Sequence, residues 1–379
     1  MAGVYVHIPF CKQACNYCDF HFSTNLKNTK AVVDAICLEI VQRGEVSEEV
    51  VETIYFGGGT PTILEAASLS KILDQVFQSY TVSTSPEITI EGNPEDLAIQ
   101  GKGMALREAG FNRLSLGFQT FADEKLKWMN RSHDMHEAVK AFDLARLEGF
   151  DNISLDLIYA LPDEEQKAID QWNSDLEKAI ELSPEHLSLY GLTIENSTPF
   201  GRRKRAGKFE EVPESIAAGQ YIAAVNILRS NGYKQYEVSN FGKPGKQSRH
   251  NLAYWDGIPY DGIGPGAHSF DGKTRRVNVA NNQKYVTAAS TQTDFWNAER
   301  LNNTELLNER ILTALRKAEG ISFSKIFQDF SRDLAKERKS LFEQFAQQDL
   351  LILDENSARL TTQGFLVADE IALHLFFDE

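Results

Sequence analysis

The sequence is poor in cysteine and contains no long apolar run. Only 4 of its 379 residues are cysteine, too few to stabilise a secreted chain of this length by disulfides. No window of eighteen consecutive apolar residues occurs, and the first ten residues contain neither a basic region nor a cleavage site of small residues. Neither a transmembrane helix nor a secretion signal is expected. We therefore expect a cytoplasmic protein.

Positive charge is also scarce. The chain has 39 Lys and Arg against 54 Asp and Glu, which gives a formal net charge of -15. This balance disfavours nonspecific binding to nucleic acid or to anionic lipid, because both need clustered cations. The local exception is the run Arg202-Arg203-Lys204-Arg205. Such a run is typical of a solvated loop, and the alternative is a contact with an anion or a membrane.

Short apolar runs alternate with amphipathic stretches over the first two thirds of the chain. The apolar runs predict strands at Val4–Ile8, Thr53–Phe56, Glu87–Glu91, Arg113–Gly117, Asn152–Ile158 and His186–Leu192. The amphipathic stretches predict helices at Thr29–Arg43, Ala66–Phe77, Glu137–Glu148 and Ile169–Leu182. This alternation indicates an α/β fold with a parallel sheet, either open or curled into a partial barrel.

Length and composition divide the chain into three predicted segments. A chain of 379 residues exceeds the usual size of one hydrophobic core, so a large domain and a smaller one are expected. Residues 1–231 form the alternating α/β core, and residues 232–300 form a loop-rich connecting region. Residues 301–379 form a mainly helical domain of winged-helix type. Its predicted elements are helices at Leu306–Arg316 and Ile326–Phe345, strands at Leu350–Leu353 and Ala358–Leu360, and a last helix from Thr362.

Three of the four cysteines lie close together after the first predicted strand. Cys11, Cys15 and Cys18 have the spacing Cys-x3-Cys-x2-Cys. A loop of this length can place three thiolates around one face of an iron–sulfur cubane and leave the fourth iron without a protein ligand. Soft thiolates also bind zinc, and that alternative needs Asp19 or His21 as a fourth ligand.

The segment from Tyr5 to Phe20, YVHIPFCKQACNYCDF, resembles the opening of radical S-adenosyl-L-methionine (radical SAM) proteins of the oxygen-independent coproporphyrinogen dehydrogenase group. The resemblance covers nearly the whole chain and implies a partial (β/α)6 barrel with a [4Fe-4S] cluster on the three cysteines. It further implies that the open iron binds the amino and carboxylate groups of SAM. One electron from the cluster then cleaves SAM to a 5′-deoxyadenosyl radical.

Further candidates for SAM contacts lie mostly where predicted strands end. The carboxyl ends of parallel strands face the edge at which such folds bind ligands. A polar residue there can instead cap a helix, and a glycine segment can be a plain turn. Asp156, inside an apolar strand, is costly unless it is paired or bound to a ligand. The resemblance implies SAM contacts at Tyr5, Tyr17, Gly58, Gly59, Thr60, Glu91, Gln119, Arg131, Asp156, Ala267 and His268.

Three features distinguish the chain from the dehydrogenases of this group. Phe20 stands where those enzymes have a further cysteine, and Cys11 lies near the start, without their long amino-terminal extension. The third feature is a His-Asn-x-x-Tyr-Trp segment, which resembles a motif of haem chaperones in the same family. An imidazole can ligate iron and aromatic rings can stack on a porphyrin, but a packed aromatic loop is the alternative. The implied haem contacts are His250, Asn251, Tyr254 and Trp255.

Together these features favour a haem chaperone that binds haem and a [4Fe-4S] cluster with SAM and delivers haem to respiratory proteins. On this interpretation no coproporphyrinogen dehydrogenase activity is expected, and the partners are haem and haem-accepting proteins, not nucleic acid. The resemblance implies membrane association in the haem-loaded state without an anchor, and it is compatible with a homodimer. The alternative is an oxygen-independent coproporphyrinogen III oxidase, in which the adenosyl radical abstracts hydrogen from propionate side chains.

Overall fold

The computed structural model describes residues 2–45, 47 and 49–378. The predicted alternation of strands and helices is confirmed in its first two thirds. The strands are β1 (Ala2–Ile8), β2 (Val51–Gly58), β3 (Val82–Gly92), β4 (Arg113–Gln119), β5 (Ile153–Tyr159), β6 (His186–Gly191), β7 (Lys234–Gln235), β8 (Asn240–Gly242), β9 (Tyr260–Ile263), β10 (His268–Phe270), β11 (Thr274–Asn278), β12 (Trp296–Arg300), β13 (Ile321–Ser322), β14 (Leu351–Leu353) and β15 (Ser357–Leu360).

The helices predicted in the first two thirds of the chain begin and end within a few residues of the predicted bounds. They are α1 (Thr29–Gly44), α2 (Ala66–Ser79), α3 (Pro94–Leu97), α4 (Lys102–Glu108), α5 (Asp123–Trp128), α6 (Met135–Leu147), α7 (Glu165–Leu182), α8 (Pro199–Arg205), α9 (Glu214–Ser230), α10 (Arg249–Trp255), α11 (Asn282–Thr291), α12 (Asn303–Leu315), α13 (Phe323–Phe330), α14 (Leu334–Glu337), α15 (Lys339–Gln347), α16 (Thr362–Phe365) and α17 (Ala368–Leu375). Two short 3-10 turns lie at Leu26–Asn28 and Pro61–Ile63.

One mixed sheet carries the fold, in the order β12-β11-β10-β9-β1-β2-β3-β4-β5-β6-β8-β7. Strands β1 to β6 run parallel, and β9 is parallel to β1. Antiparallel strands extend both ends. Parallel neighbours require crossover connections, which the helices between them supply. The carboxyl ends of β1 to β6 therefore meet at one edge.

The parallel strands have one apolar and one polar face. On β4, Leu114 and Leu116 lie in the hydrophobic core, whereas Arg113, Ser115 and Gln119 alternate with them. Because successive side chains of a strand point to opposite faces, the apolar residues pack against the helices. The polar residues of neighbouring strands hydrogen-bond to one another on the other face, so the barrel has a polar interior.

Residues 232–300, for which the composition predicted loops, contain six strands and two helices within their described part. This corrects the prediction of a loop-rich region. Strands β7, β8 and β10 have only two or three residues, too few for a recognisable alternation, and the five-residue strands β11 and β12 consist mostly of polar residues. The boundaries at 231 and 300 themselves stay predictions.

The carboxyl-terminal segment confirms the predicted strand pair, in a three-stranded sheet of order β13-β15-β14. The single predicted helix at Ile326–Phe345 is wrong, because α13, α14 and α15 divide it. Ser331 has a φ of +55°, which ends α13, and the Asp333 side chain accepts a hydrogen bond from the Lys336 backbone at the start of α14. The predicted last helix from Thr362 is likewise divided, into α16 and α17.

A continuous hydrophobic core runs from Val4 in β1 to Leu375 in α17. Cys37, a free thiol in α1, is buried within it. No helix in the described ranges is both long and apolar enough to cross a bilayer.

Candidate cluster and cofactor site

The three clustered cysteines lie on the loop after β1, at the edge where the parallel strands end. Cys11, Cys15 and Cys18 are free thiols and all are half-buried. The Cys11 backbone donates a hydrogen bond to the carbonyl of Ser23 over 3.1 Å, which ties the beginning of the loop to its continuation. The loop is therefore fastened at its base, while the thiols remain accessible to an incoming metal.

Two polar side chains donate hydrogen bonds to these sulfurs. Thr60 Oγ1 lies 3.5 Å from Cys11 Sγ, and Arg131 Nη1 lies 3.4 Å from Cys15 Sγ. Removal from water raises the pKa of Cys11 to about 11, although the Thr60 hydrogen bond acts in the opposite direction. Donors directed at sulfur stabilise thiolates, the form that binds iron. The donor set thus fits a thiolate-held cluster.

Zinc and an iron–sulfur cubane require different arrangements of their protein ligands. Among the residues that the structure describes, no three His, Cys, Asp or Glu side chains converge as ligands of one metal ion would. In a cubane each cysteine binds its own iron, so a cluster requires only that three thiolates face one common space. A zinc site requires four ligands around one ion.

Arg131 connects the cluster loop to the strands of the barrel. Its Nη2 donates to Asn93 Oδ1 over 2.7 Å and to the Gly117 carbonyl over 2.9 Å, and its Nη1 lies 3.5 Å from the Tyr17 hydroxyl. Arg131 and Tyr17 therefore come together beside Cys15, as the prediction of a shared site requires. Asn93, which follows β3, was not predicted.

The glycine segment at the carboxyl end of β2 is packed against the cluster loop. Gly58 has a φ of +104°, and a Cβ there would lie 2.4 Å from the His7 ring. The Gly58 N–H donates to Glu91 Oε2 over 3.2 Å. A Cβ on Gly59 would lie 2.5 Å from the carbonyl oxygen of Phe10. Only glycine allows this close approach, which brings Glu91 next to the cluster loop.

Glu91 and Asp156 are two carboxylates inside the barrel. The Tyr55 hydroxyl donates to Glu91 Oε1 over 2.7 Å, and the Ser115 hydroxyl lies 3.2 Å from both oxygens of Asp156. Removal from water raises the pKa of Glu91 to about 7, and the nearby Asp156 adds to the rise. The pKa of Asp156 is raised by the same desolvation. Such a pair attracts a cationic ligand.

Arg113 lies two residues nearer the amino ends of the strands than Glu91, and it was missed by the sequence analysis. It belongs to β4, which separates the strands of Glu91 and Asp156, and it is 1% exposed. Its charge acts to lower the pKa of both acids. Its Nε is buried without a hydrogen-bond partner in the described part of the chain. The alternation of apolar and polar residues along β4 was the available signal.

The remaining SAM candidates occupy different environments. Gln119 ends β4 with a φ of +67°, and the Tyr5 hydroxyl lies 3.1 Å from His7 Nδ1. Ala267 is buried and His268 exposed. Burial lowers the pKa of His7 to about 4, and the His268 ring adds a smaller lowering. Tyr5 lies on β1 opposite Gly262 of β9, and His268 begins the next strand of the sheet, β10.

The predicted haem motif lies at the other end of the parallel strands. His250 is 2% exposed, its Nδ1 lies 2.8 Å from Thr53 Oγ1, and its Nε2 lies 2.9 Å from the Tyr254 hydroxyl. Burial lowers the pKa of His250 to about 3. A Cβ on Gly3, at the start of β1, would touch its ring. The His250 ring stacks on Tyr55 with 5.0 Å between centroids and on Tyr5 with 6.5 Å. Because Tyr55 donates to Glu91, the motif adjoins the barrel interior that contains Glu91, although both ring nitrogens of His250 already have partners.

Two members of the motif line a pocket of about 320 Å³ between α10 and α12. Tyr254 and Trp255 form part of its wall, whereas Asn251 does not. The guanidinium of Arg316 lies over the Trp255 ring at 5.6 Å. The other pocket residues include the aromatic, aliphatic and charged side chains of Tyr260, Phe270, Arg275, Leu306, Glu309, Arg310 and Phe330.

Comparison with known proteins agrees with this architecture. Residues 5–176 match the model of the radical SAM superfamily, and residues 301–367 match the HemN C-terminal domain. In fold, the chain is similar to the structure of coproporphyrinogen III oxidase (HemN) from Escherichia coli, with a TM-score of 0.84 and 24% identity, over 99% of this chain and 90% of that one.

Sequence similarity extends over the whole chain for some relatives. The protein named heme chaperone HemW from Bacillus subtilis is 34% identical over 98% of each chain. The protein of the same name from Lactococcus lactis is 34% identical over 100% of this chain and 98% of that one, and that from Escherichia coli is 38% identical over 70% and 69%. The chain therefore belongs to the HemW family of radical SAM proteins.

Proposed function

We propose that the protein is a cytoplasmic haem chaperone, which holds a [4Fe-4S] cluster with SAM and delivers haem to respiratory proteins. The observation that carries this proposal is the similarity over 98% of the chain to a protein named heme chaperone HemW. Haem delivery then requires contact with haem-accepting partners and association with the membrane in the loaded state, and a homodimer is compatible with it.

In this proposal Cys11, Cys15 and Cys18 hold the cluster, and the cluster supplies one-electron chemistry at the sulfonium of SAM. Arg131 and Thr60 donate to the thiolate sulfurs and so stabilise their negative charge. Glu91 is held by Tyr55 and by the Gly58 backbone, in a position to attract the cationic groups of SAM.

Haem binding is proposed for the pocket beside Trp255. Aromatic side chains at its wall can stack on a porphyrin, and a volume of about 320 Å³ suits a partly enclosed ligand. Arg275 pairs with Glu309 over 2.9 Å at the pocket and can exchange this partner for a propionate. Ligation of iron by His250 requires the imidazole to leave Thr53 or Tyr254.

The test is a haem titration of the anaerobically reconstituted protein, followed by the Soret band. We expect stoichiometric binding to the unaltered protein and binding weakened about tenfold or more in Trp255→Ala and His250→Ala, because a stacking surface or an iron ligand is lost. Trp296→Ala, a half-buried tryptophan outside the pocket, is the matched control. Cys15→Ser should lose iron and sulfide but keep haem binding.

A turnover assay with coproporphyrinogen III on the same sample separates the chaperone from the oxidase. Haem binding without porphyrinogen product supports the chaperone. Formation of protoporphyrinogen without specific haem binding would assign the chain to the oxidases. If Trp255→Ala and His250→Ala both bound haem as tightly as the unaltered protein, the proposal of a haem site in this pocket would be wrong.

A further inference from the structure

Helix α8 is fastened directly to the cluster loop. The Phe200 backbone donates a hydrogen bond to the carbonyl of Asn16 over 2.9 Å, and Asn16 lies between the second and third cysteines. The Phe200 ring packs on Trp128 with 4.0 Å between centroids. Just before the helix, the Ser197 hydroxyl donates to the carboxylate of Asp19. The position of α8 is therefore fixed relative to the cluster.

The α8 basic surface consists of Arg202, Arg203, Lys204, Arg205 and Lys208, all of them exposed. Arg202 and Arg205 donate to backbone carbonyls over 3.0 and 2.8 Å, and such neutral acceptors leave their charges uncompensated. Of the five, Lys204 forms an ion pair, with Glu211. The Lys208 N–H donates to the Arg203 carbonyl over 3.0 Å, but the side chains of these two residues form neither a hydrogen bond nor an ion pair within the described part of the chain.

This concentration of positive charge contrasts with a chain whose net charge is -15. The seven residues of α8 rise about 10 Å along the helix axis, so the cations lie within about two turns of the contact with Asn16. Phe20, two residues after Cys18, is 71% exposed, and it follows Asp19, whose carboxylate accepts the hydrogen bond from Ser197 just before α8. A cationic rim around an apolar contact is typical of a surface that steers and then binds a charged protein.

We propose that the α8 basic surface, with Phe20 at its edge, docks a small acidic protein that donates single electrons to the cluster. The inference rests on the proposed function, since a cluster that cleaves SAM gains one electron for each one that its donor loses. Contact with α8 places an acidic donor beside the cluster loop. The rest of this protein, whose net charge is -15, repels such a donor. An anionic membrane surface could bind the same cations, but membrane binding does not require these cations to lie next to the cysteines.

The test compares the unaltered protein with the double variant Arg203→Glu/Lys208→Glu, which changes two cations without partners. The probe is an acidic flavodoxin. We expect its binding, measured by titration calorimetry at low ionic strength, and its rate of cluster reduction, measured by stopped-flow absorbance, to fall about tenfold or more. For the unaltered protein the reduction rate should fall as salt is added, because salt screens the attraction.

The matched control is Lys325→Glu/Lys336→Glu, with the same charge change on exposed residues of α13 and α14. It should behave as the unaltered protein, and photoreduced deazaflavin, which needs no docking, should reduce all three clusters equally. Equal flavodoxin binding and reduction in both double variants would overturn the proposal. So would loss of flotation on phosphatidylglycerol vesicles in Arg203→Glu/Lys208→Glu with unchanged reduction by flavodoxin, which would identify a lipid surface.

Calorimetry does not depend on a cluster. If reconstitution yields no iron and sulfide but the Arg203→Glu/Lys208→Glu variant still loses flavodoxin binding, the proposed cluster and the electron-donor role fail, whereas the α8 basic surface is still shown to bind an acidic protein.

Discussion

At the scale of single residues, the interior of the barrel combines acids, a buried cation and neutral imidazoles. Burial raises the pKa of Glu91 and Asp156 and lowers the pKa of His186 and His250. The charge of Arg113 opposes the rise in the two acids and adds to the lowering in the two imidazoles. One guanidinium thus favours the charged form of the acids and the uncharged form of the bases, and it offsets part of the cost of burying negative charge where a cationic ligand is expected.

Glu91 should make SAM binding dependent on pH. Because the pKa of Glu91 is raised to about 7, the carboxylate that attracts the cation forms as the pH rises through that value. Affinity for SAM should therefore increase up to about tenfold between pH 6 and pH 8. Glu91→Gln should bind more weakly at pH 8 and lose this rise, as equilibrium dialysis would measure. Glu299→Gln, at an exposed position on β12, should leave it unchanged; a rise that survives in Glu91→Gln would assign the titration elsewhere.

The sequence predicted those site residues that lie close to one another along the chain. The cysteine triplet and the glycines after β2 lie within a few positions of one another, so local pattern identifies them. Arg113 and Asn93 act through partners on other strands, and their contacts exist only once the strands are in register. The burial of His250 between Thr53 and Tyr254 was unpredictable for the same reason, since it depends on where α10 packs.

At the scale of elements, the periodic pattern located the helices of the first two thirds of the chain, but it does not show where a helix is interrupted. The predicted helix at Ile326–Phe345 failed because its amphipathic pattern continues across α13, α14 and α15. Two residues interrupt it. Ser331 adopts a left-handed conformation, and Asp333 caps the next helix. Interruptions of this kind depend on one residue each, and a periodic pattern does not reveal them.

Ser331→Gly should stabilise the carboxyl-terminal segment. Ser331 is exposed and has a φ of +55°, a conformation that glycine adopts without the steric cost of a Cβ. The free energy of unfolding in urea should rise by about 0.5–1 kcal/mol. Gln328→Gly, an exposed change inside α13, should lower it by about 1 kcal/mol. Destabilisation by both changes would contradict the left-handed cap.

At the scale of the whole molecule, backbone hydrogen bonds join the carboxyl-terminal segment to residues 236–238, which lie between β7 and β8. The Val238 N–H donates to the Arg316 carbonyl over 2.8 Å, and the Ala318 N–H donates to the Tyr236 carbonyl over 3.0 Å. Glu237 is fully buried in this junction. Its backbone forms a bridge with Lys317, so a carboxyl group lies sealed where two parts of the chain meet.

Glu237 should make global stability fall as the pH rises. Burial raises its pKa in the folded protein from 4.5 to about 7, so the folded state binds the proton more tightly than the unfolded state does. Stability from this group is complete below about pH 4.5 and is lost progressively up to about pH 7, by about 3 kcal/mol. Glu237→Gln should remove this loss and be more stable than the unaltered protein at pH 8, as denaturant unfolding at pH 5 and pH 8 would measure.

Glu319→Gln, at an exposed carboxylate near the same junction, is the control and should keep the full pH dependence. If Glu237→Gln unfolded with the same pH dependence as the control, the titrating group would lie outside the junction.

The enclosure of His250 has a consequence for the kinetics of haem capture. Its two ring nitrogens are bonded to Thr53 and Tyr254, whereas Trp255 lines an open pocket. Under the proposed function, haem meets the aromatic wall in a second-order encounter, and the iron gains the imidazole in a later first-order step. That step proceeds at the rate at which the imidazole is released, and no excess of haem can accelerate it.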